Sequence, residues 1–157
     1  MERYMRNIGT LSLAENELLK IKRAAIVGCG GLGGYVFEML GRIGVGRITI
    51  IDGDVFTPSN LNRQILSDTQ KIGQSKVRSA VDRMKLVNPE ISITPIEKTI
   101  DQGNAQELLH GHDVIIDALD NIPSRLVVAK ACNALKIPLV HGAIFSWYGQ
   151  VATIPSL

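Results

Sequence analysis

The run Gly28-Cys29-Gly30-Gly31-Leu32-Gly33 is a Gly-x-Gly-x-x-Gly pattern between an apolar stretch, Ala24–Val27, and a helical spacing of Leu32, Val36, Leu40 and Ile43. Glycines there permit a tight turn and let a phosphate approach the backbone, where helix N-terminal amides and the dipole favour an anion. Asp52 ends the next apolar run, Ile48–Ile51. It lies about 20 residues on, where a carboxylate can accept both hydroxyls of a ribose. Alone, the glycines predict only a tight turn; with strand, helix and acid they predict a nucleotide site. The loop is not of the Walker type, because Gly34-Tyr35 follows Gly33 where Lys-Ser/Thr would be needed. At this point a dinucleotide-dependent oxidoreductase and an ATP-using enzyme both fit.

The polar segments that follow favour a triphosphate. Asn60-Leu61-Asn62-Arg63-Gln64 precedes Gly73-Gln74-Ser75-Lys76, and Lys76 opens a helix. A helix start is a poor place for a cation unless an anion sits there, because the dipole is positive at that end. Arg63 and Lys76 together can clamp a triphosphate and neutralise charge on departing pyrophosphate, although either alone reads as an exposed cation. A further apolar run ends in Asp117-Ala118-Leu119-Asp120-Asn121. Carboxylates at the C-terminal ends of parallel strands face the ligand crevice. Asp120 is therefore the expected Mg²⁺ ligand, since magnesium takes one or two carboxylates plus phosphate oxygens. Asp117 divides evenly between that role and capping the turn.

Other reactive residues read as structural. Cys29 is expected as a small residue facing the sheet, and Cys132, with Val128 and Leu135 one turn away on either side, as a core thiol. His110 and His112 fall in a polar turn and are expected in solvent, whereas His141 on an apolar strand is expected buried and hydrogen-bonded. Trp147 and Tyr148, before Gly149-Gln150, suit a turn or a partner contact.

The elements that must position these groups alternate. Strands are expected at 24–27, 48–51, 91–96, 114–116, 138–143 and 151–154, and helices at 32–43, 74–87, 105–109 and 124–135. A first amphipathic helix starts near Ser12, which forms a capping box with Glu15. The segment 53–73 carries Pro58 and only a short helix. Continuous apolar strands alternating with helices predict an α/β, Rossmann-like, mainly parallel sheet with helices on both faces. Residues 1–22 read as an N-terminal arm and helix, and 23–157 as the nucleotide-binding domain. The end directly after a strand suggests that a C-terminal portion is lacking.

The composition narrows the partners. The chain has 157 residues, 45% hydrophobic and 20% charged, with net charge +2. That suits a single folded domain and not a disordered one. Scattered basic residues argue against a nucleic-acid face. No apolar run reaches the roughly 18 residues of a membrane span, and no signal peptide opens the chain, so no membrane association and a cytoplasmic location are expected. Two cysteines make neither a disulfide framework nor a Cys-x-x-Cys zinc site.

Taken in order, Arg3-Tyr4-Met5-Arg6-Asn7-Ile8, Gly28-x-Gly-Gly-Leu-Gly33, Ile51-Asp52-x-Asp54, Ser59-Asn60-Leu61-Asn62-Arg63-Gln64, Ile72-Gly73-Gln74-Ser75-Lys76, Asn88-Pro89 and Asp120-Asn121-x-x-x-Arg125 span nearly the whole chain. Together they resemble the ThiF/MoeB/HesA family and the adenylation domains of ubiquitin-activating enzymes. The resemblance implies an ATP- and Mg²⁺-dependent adenylyltransferase. Its substrate would be the C-terminal carboxylate of a ubiquitin-like sulfur-carrier protein of the thiamine or molybdopterin type, and the enzyme would work as a homodimer. Gly28, Gly30, Gly31 and Gly33 would cradle ATP, and Asp52 would hold the ribose. Asn60, Arg63, Gln64 and Lys76 would contact phosphates, and Asp120 the metal. Arg6 would reach the triphosphate of a partner subunit; Asn7 stands where the family carries glutamine. Zinc ligands and a reactive cysteine, where family members have them, lie further downstream, so no zinc site is expected in this chain. The competing expectations are an NAD-dependent oxidoreductase and a non-catalytic nucleotide-binding scaffold.

Overall fold

Short runs of apolar and β-branched residues form the strands of this computed structural model, which describes residues 2–156. They are β1 (Arg23–Val27), β2 (Arg47–Ile51), β3 (Ser92–Ile96), β4 (Val114–Asp117), β5 (Leu139–Phe145) and β6 (Tyr148–Ile154). The sheet order is β3-β2-β1-β4-β5-β6, parallel except for β6, which runs antiparallel to β5. The helices are α1 (Leu13–Leu19), α2 (Gly31–Ile43), α3 (Lys76–Val87), α4 (Ala105–Leu109) and α5 (Ile122–Leu135). This is the expected Rossmann-like α/β architecture.

Alternation along the buried strands sends side chains to two cores. Ile26, Ile48 and Ile50 pack with Phe37 of α2 and Val77 and Met84 of α3. Ala25, Val27, Ile51 and Ile115 pack on the other face with Leu109 of α4 and Val128 and Cys132 of α5. The strand order reverses between β1 and β4, so a crevice opens beyond their carboxyl ends. Register aligns that edge: Val27 lies beside both Ile51 and Asp117. Gly28, Asp52 and Ala118 therefore leave the sheet together.

Capping residues move several helix boundaries from their expected places. Ser12 and Glu15 form the expected reciprocal box, with Ser12 N donating to Glu15 Oε2 at 2.7 Å. Ser75 caps α3, which begins at Lys76 and not Gln74. The Asn121 side-chain oxygen accepts from Ser124 N at 3.0 Å, and Pro123 occupies the first turn, so α5 starts two residues early. The final hairpin is longer than its apolar pattern, because Ser146 takes φ 53 and Trp147 completes a tight turn that lets β5 and β6 extend.

The first residues form a short 3-10 helix, Glu2–Asn7, tied to the far end of α2. The buried Tyr4 hydroxyl accepts from Asn88 Nδ2 at 2.8 Å, and the same amide donates to Gly41 O at 2.7 Å. The Tyr4 ring fills the space beside Gly44, where a Cβ would come within 2.7 Å of it. His112 departs from expectation. One ring nitrogen bonds Leu109 O at 2.9 Å and the other the Thr49 hydroxyl at 2.8 Å, so it pins a loop to β2 instead of standing in solvent. His110 is exposed.

Glu38 of α2, buried among packed side chains, joins the two helices of one face. Arg83 of α3 grips it through two bonds of 3.0 and 2.7 Å, and Arg42 adds another at 2.6 Å. The Arg83 guanidinium holds the Glu38 carboxyl below the usual carboxylate range despite burial. A depressed folded pKa contributes stability above the unfolded value of about 4.3 and loses it as pH falls through the folded one. Glu38→Gln should therefore cost about 1–3 kcal/mol at pH 7. Urea unfolding at a series of pH values should show that deficit shrinking below about pH 4.

Candidate active site

A cleft of about 810 Å³ lies beyond the carboxyl ends of β1, β2 and β4. That is the size range of a small-molecule site, roughly 300–1,000 Å³. The four motif glycines serve two different purposes. Gly28 has φ 95, and a Cβ there would meet Ala118 O at 2.9 Å; a Cβ on Gly33 would stand 1.9 Å from Gly28 O. Those two are dictated by backbone packing. Gly30 and Gly31 face the cleft, and their Cβ positions lie 3.7 Å from Gln64 and Arg63. Side chains there would fill the space between the loop and those residues.

Asp52 closes the loop from the side. Its Oδ2 accepts from Cys29 N at 2.6 Å and its Oδ1 from Asp54 N at 2.8 Å. Asp54 in turn meets Lys76, whose ammonium sits 2.9 Å from Asp54 Oδ2. The Lys76 side chain is only 7% exposed and that of Asp54 is 73% exposed. The anion expected at this helix start is thus supplied within the chain by a solvated carboxylate on the cleft wall.

The segment after Pro58 delivers the other polar groups. Asn60 is buried with its side-chain oxygen accepting from Thr57 N at 3.0 Å, and its carbonyl accepts from Arg63 N and Gln64 N. Asn60 therefore stands behind the cleft wall and shapes the turn that carries its neighbours. Arg63 lines the cleft, exposed, with one guanidinium nitrogen on Ser59 O at 3.0 Å. Gln64 is buried on the same wall, and its Oε1 has no hydrogen-bond partner. A buried polar atom left unpaired costs about 1–3 kcal/mol, which a ligand can recover.

On the opposite lip Asp120 is exposed and borders the cleft. Asp117 is fully engaged below it: one oxygen meets His141 Nδ1 at 2.7 Å and the other accepts from Leu119 N at 3.0 Å. It takes the turn-capping role, and His141 is bonded as expected but only half-buried. Among the cleft residues that carried no role in the sequence reading are Arg125, Lys98 and Thr99. Arg125 donates to Leu119 O from Nε at 3.0 Å and again from Nη2, fixing the loop that carries Asp120. Lys98 and Thr99 arrive just beyond β3. Their position at a carboxyl strand end was the available signal.

Arg6 is not in this cleft. It is exposed on the 3-10 helix at the C-terminal end of α2, whereas the glycine loop is at the N-terminal end. Thirteen helical residues separate the two by about 20 Å. Among the described residues no group of three or more His, Cys, Asp or Glu converges as a metal site. No helix among them is long and apolar enough to cross a membrane.

The ThiF family pattern matches residues 4–156. The chain belongs to this family. It is 41% identical over 135 residues to the molybdopterin-synthase adenylyltransferase of Escherichia coli, covering 86% of this chain and 54% of that protein. It is 39% identical over 132 residues to the SAMP-activating enzyme E1 of Haloferax volcanii, covering 84% and 49%. The structure resembles that of E. coli tRNA N6-threonylcarbamoyladenosine dehydratase in complex with ATP. That match has a TM-score of 0.86 and 29% identity, over 92% of this chain and 62% of that one. The chain thus spans about half the length of the two named enzyme relatives.

Neither cysteine of this ThiF-family chain is built as a nucleophile. Burial, with Asp52 nearby, pushes the Cys29 thiol far above its usual value, and burial pushes Cys132 up to about 11. Raised values leave both protonated at neutral pH, and the thiolate is the reactive form. At pH 8, labelling by Ellman's reagent should run roughly 100-fold or more slower in the native protein than in denaturant. Rapid native labelling of either thiol would contradict this assignment.

Proposed function

We propose that this chain is the ATP-binding adenylation domain of an enzyme activating the C-terminal carboxylate of a ubiquitin-like sulfur carrier. The observation that carries this reading is Lys76, a nearly buried ammonium at the start of α3 that borders the cleft and is held by one solvated carboxylate. A triphosphate can take that carboxylate's place. The glycine loop would receive phosphate oxygens, with the Arg63 guanidinium and the Gln64 Nε2 amide beside it as donors. Asp52 would hold the ribose, and Asn60 would act through the turn it shapes. The 39–41% identity to enzymes named SAMP-activating enzyme E1 and molybdopterin-synthase adenylyltransferase supports a protein carboxylate as acceptor. An NAD-dependent oxidoreductase would leave the Arg63–Lys76 pair without a purpose.

The chemistry needs no general base, since a carboxylate is already an anion at pH 7. One carboxylate oxygen bonds to the α-phosphorus of ATP while the bond from that phosphorus to the bridging oxygen breaks. Pyrophosphate leaves with the electron pair. The barrier lies in bringing two anions together and in the charge on the leaving group, so positioning and neutralisation by Arg63 and Lys76 supply the catalysis. Asp120 offers a single carboxylate on the lip, which suits Mg²⁺ held mainly by phosphate oxygens and water. Bound there, the metal would neutralise phosphate charge. Arg6, remote from its own cleft, would serve a partner's in a homodimer. A cytoplasmic location fits the two free, buried cysteines.

In full-length protein supplied with magnesium and a small carrier ending in Gly-Gly, ATP–pyrophosphate exchange should depend on the carrier. Arg63→Ala and Lys76→Ala should each lower it by about 10²–10³. Exchange indifferent to both changes would sink the reading. Asp54→Asn should strengthen magnesium-free ATP binding by roughly threefold to tenfold, the worth of one screened charge removed beside the phosphates. Calorimetry reads that directly, and weaker binding would mean that Asp54 positions Lys76 and does not merely hold its place.

A further inference from the structure

We propose that the amino-terminal end of the sheet carries a second binding site, for a phosphate group, centred on Arg23 and Arg47. Register puts Arg23, Arg47 and Ser92 side by side at the starts of β1, β2 and β3. Alternation places Thr49 and Thr94, two residues further on, on the same face. This is the α4 side of the sheet, and α4 has only five residues. A recess of about 270 Å³ remains there, walled by Arg23, Arg47, Thr49, Ser92, Thr94 and His112. It belongs to neither the cleft nor its loops.

The wall is one-sided in charge. Two guanidinium groups and two exposed hydroxyls, of Ser92 and Thr94, meet there with no carboxylate. His112 supplies structure: its Nδ1–H donates to the Leu109 carbonyl, so Nε2 accepts from Thr49 and fixes that hydroxyl. Like charges in neighbouring register repel. Four other arginines are neutralised, Arg42 and Arg83 on Glu38, Arg78 on Glu97 and Arg3 beside Glu90, whereas the cleft arginines Arg63 and Arg125 carry no carboxylate partner among the described residues. Among the described residues neither Arg23 nor Arg47 enters an ion pair, and the one bond either guanidinium makes is 3.5 Å long, from Arg23 to Gly111 O. The nearby Asp113 lies off the wall, with one oxygen on Arg23 N at 2.7 Å and the other 3.7 Å from Lys22 Nζ.

An oxyanion resolves that repulsion. Two adjacent guanidinium groups match the oxygens of a phosphate through paired charge-assisted bonds, and Ser92 and Thr94 can donate to the rest. The recess lies below the roughly 300 Å³ at which drug-sized sites begin, so it suits inorganic phosphate or the phosphoryl end of a larger ester, not a whole nucleotide. Five-residue strands put it about 16 Å from the glycine loop. Occupancy there is independent of the cleft.

The test is a titration of the full chain with inorganic phosphate, followed by backbone amide NMR at constant ionic strength. Arg63→Ala/Lys76→Ala protein serves as background, so that the cleft does not compete. Saturable shifts are expected at Arg47–Thr49, Ser92–Thr94 and Gly111–Asp113, and Arg23→Gln/Arg47→Gln should weaken them at least tenfold. Both arginines are exposed, and Arg47→Lys, which keeps the charge, should retain part of the affinity. A parallel titration with phenyl phosphate separates the sources: tighter binding assigns an ester, weaker binding the free anion. Shifts that do not saturate, that chloride reproduces, or that survive the double glutamine change would overturn the proposal.

Discussion

The Cys29 amide bonded to Asp52 Oδ2 at 2.6 Å is the contact on which the cleft depends. It joins the loop leaving β1 to the residue leaving β2, and it forms because register sets Val27 beside Ile51. Gly28 must then turn with positive φ against the Ala118 backbone, and Gly33 must lie against Gly28 O to start α2. Each of these positions excludes a side chain for a backbone reason. Gly30 and Gly31 between them are left free to face a ligand. The glycine-loop geometry is thus a by-product of how three parallel strands end.

A chain of short polar contacts extends outward from the same carboxylate. Asp52 fixes Asp54 N, Asp54 holds Lys76, and Lys76 N donates to Asp54 O at 3.1 Å. The ammonium is thereby paired in a nearly buried position, where a charge without a partner would be costly. Its counter-ion is the most solvated member of the chain. A solvated anion can be exchanged at low cost, whereas a buried one could not be removed without stranding the charge. The pair therefore joins a nearly buried cation to an exposed anion on the cleft wall.

Features decided within a few residues were legible in the sequence, and those decided across the fold were not. The glycine loop, Asp52 and the strand pattern follow from local spacing, and so does the Ser12–Glu15 box. His112 was misread because its partner, Thr49, is 63 residues away and only the β2–α4 packing brings them together. Asn60 and Gln64 look alike as polar residues of one loop, yet one side chain turns inward to bond Thr57 and the other is left unpaired on the cleft wall. Lys98 and Thr99 carry no motif; only the carboxyl end of β3 gives them a place. The early start of α5 was readable in principle, since Asn121 and Pro123 form a recognised start signal.

Helix α2 separates two halves of the charge problem. Its N-terminus opens at the glycine loop, and its C-terminus ends at Gly44, against which Tyr4 packs beside Arg6. Tyr4 is held by Asn88, and Asn7 by Asn16 and the Ile43 carbonyl, so the arm cannot swing round the domain without losing buried bonds. A guanidinium fixed there is about 20 Å from its own cleft, beyond the reach of one side chain. The cleft's own cations are Arg63, Lys76, Lys98 and Arg125, and any contribution from Arg6 must be made to another molecule. The anchoring that stabilises the arm is what keeps its charge away from its own cleft.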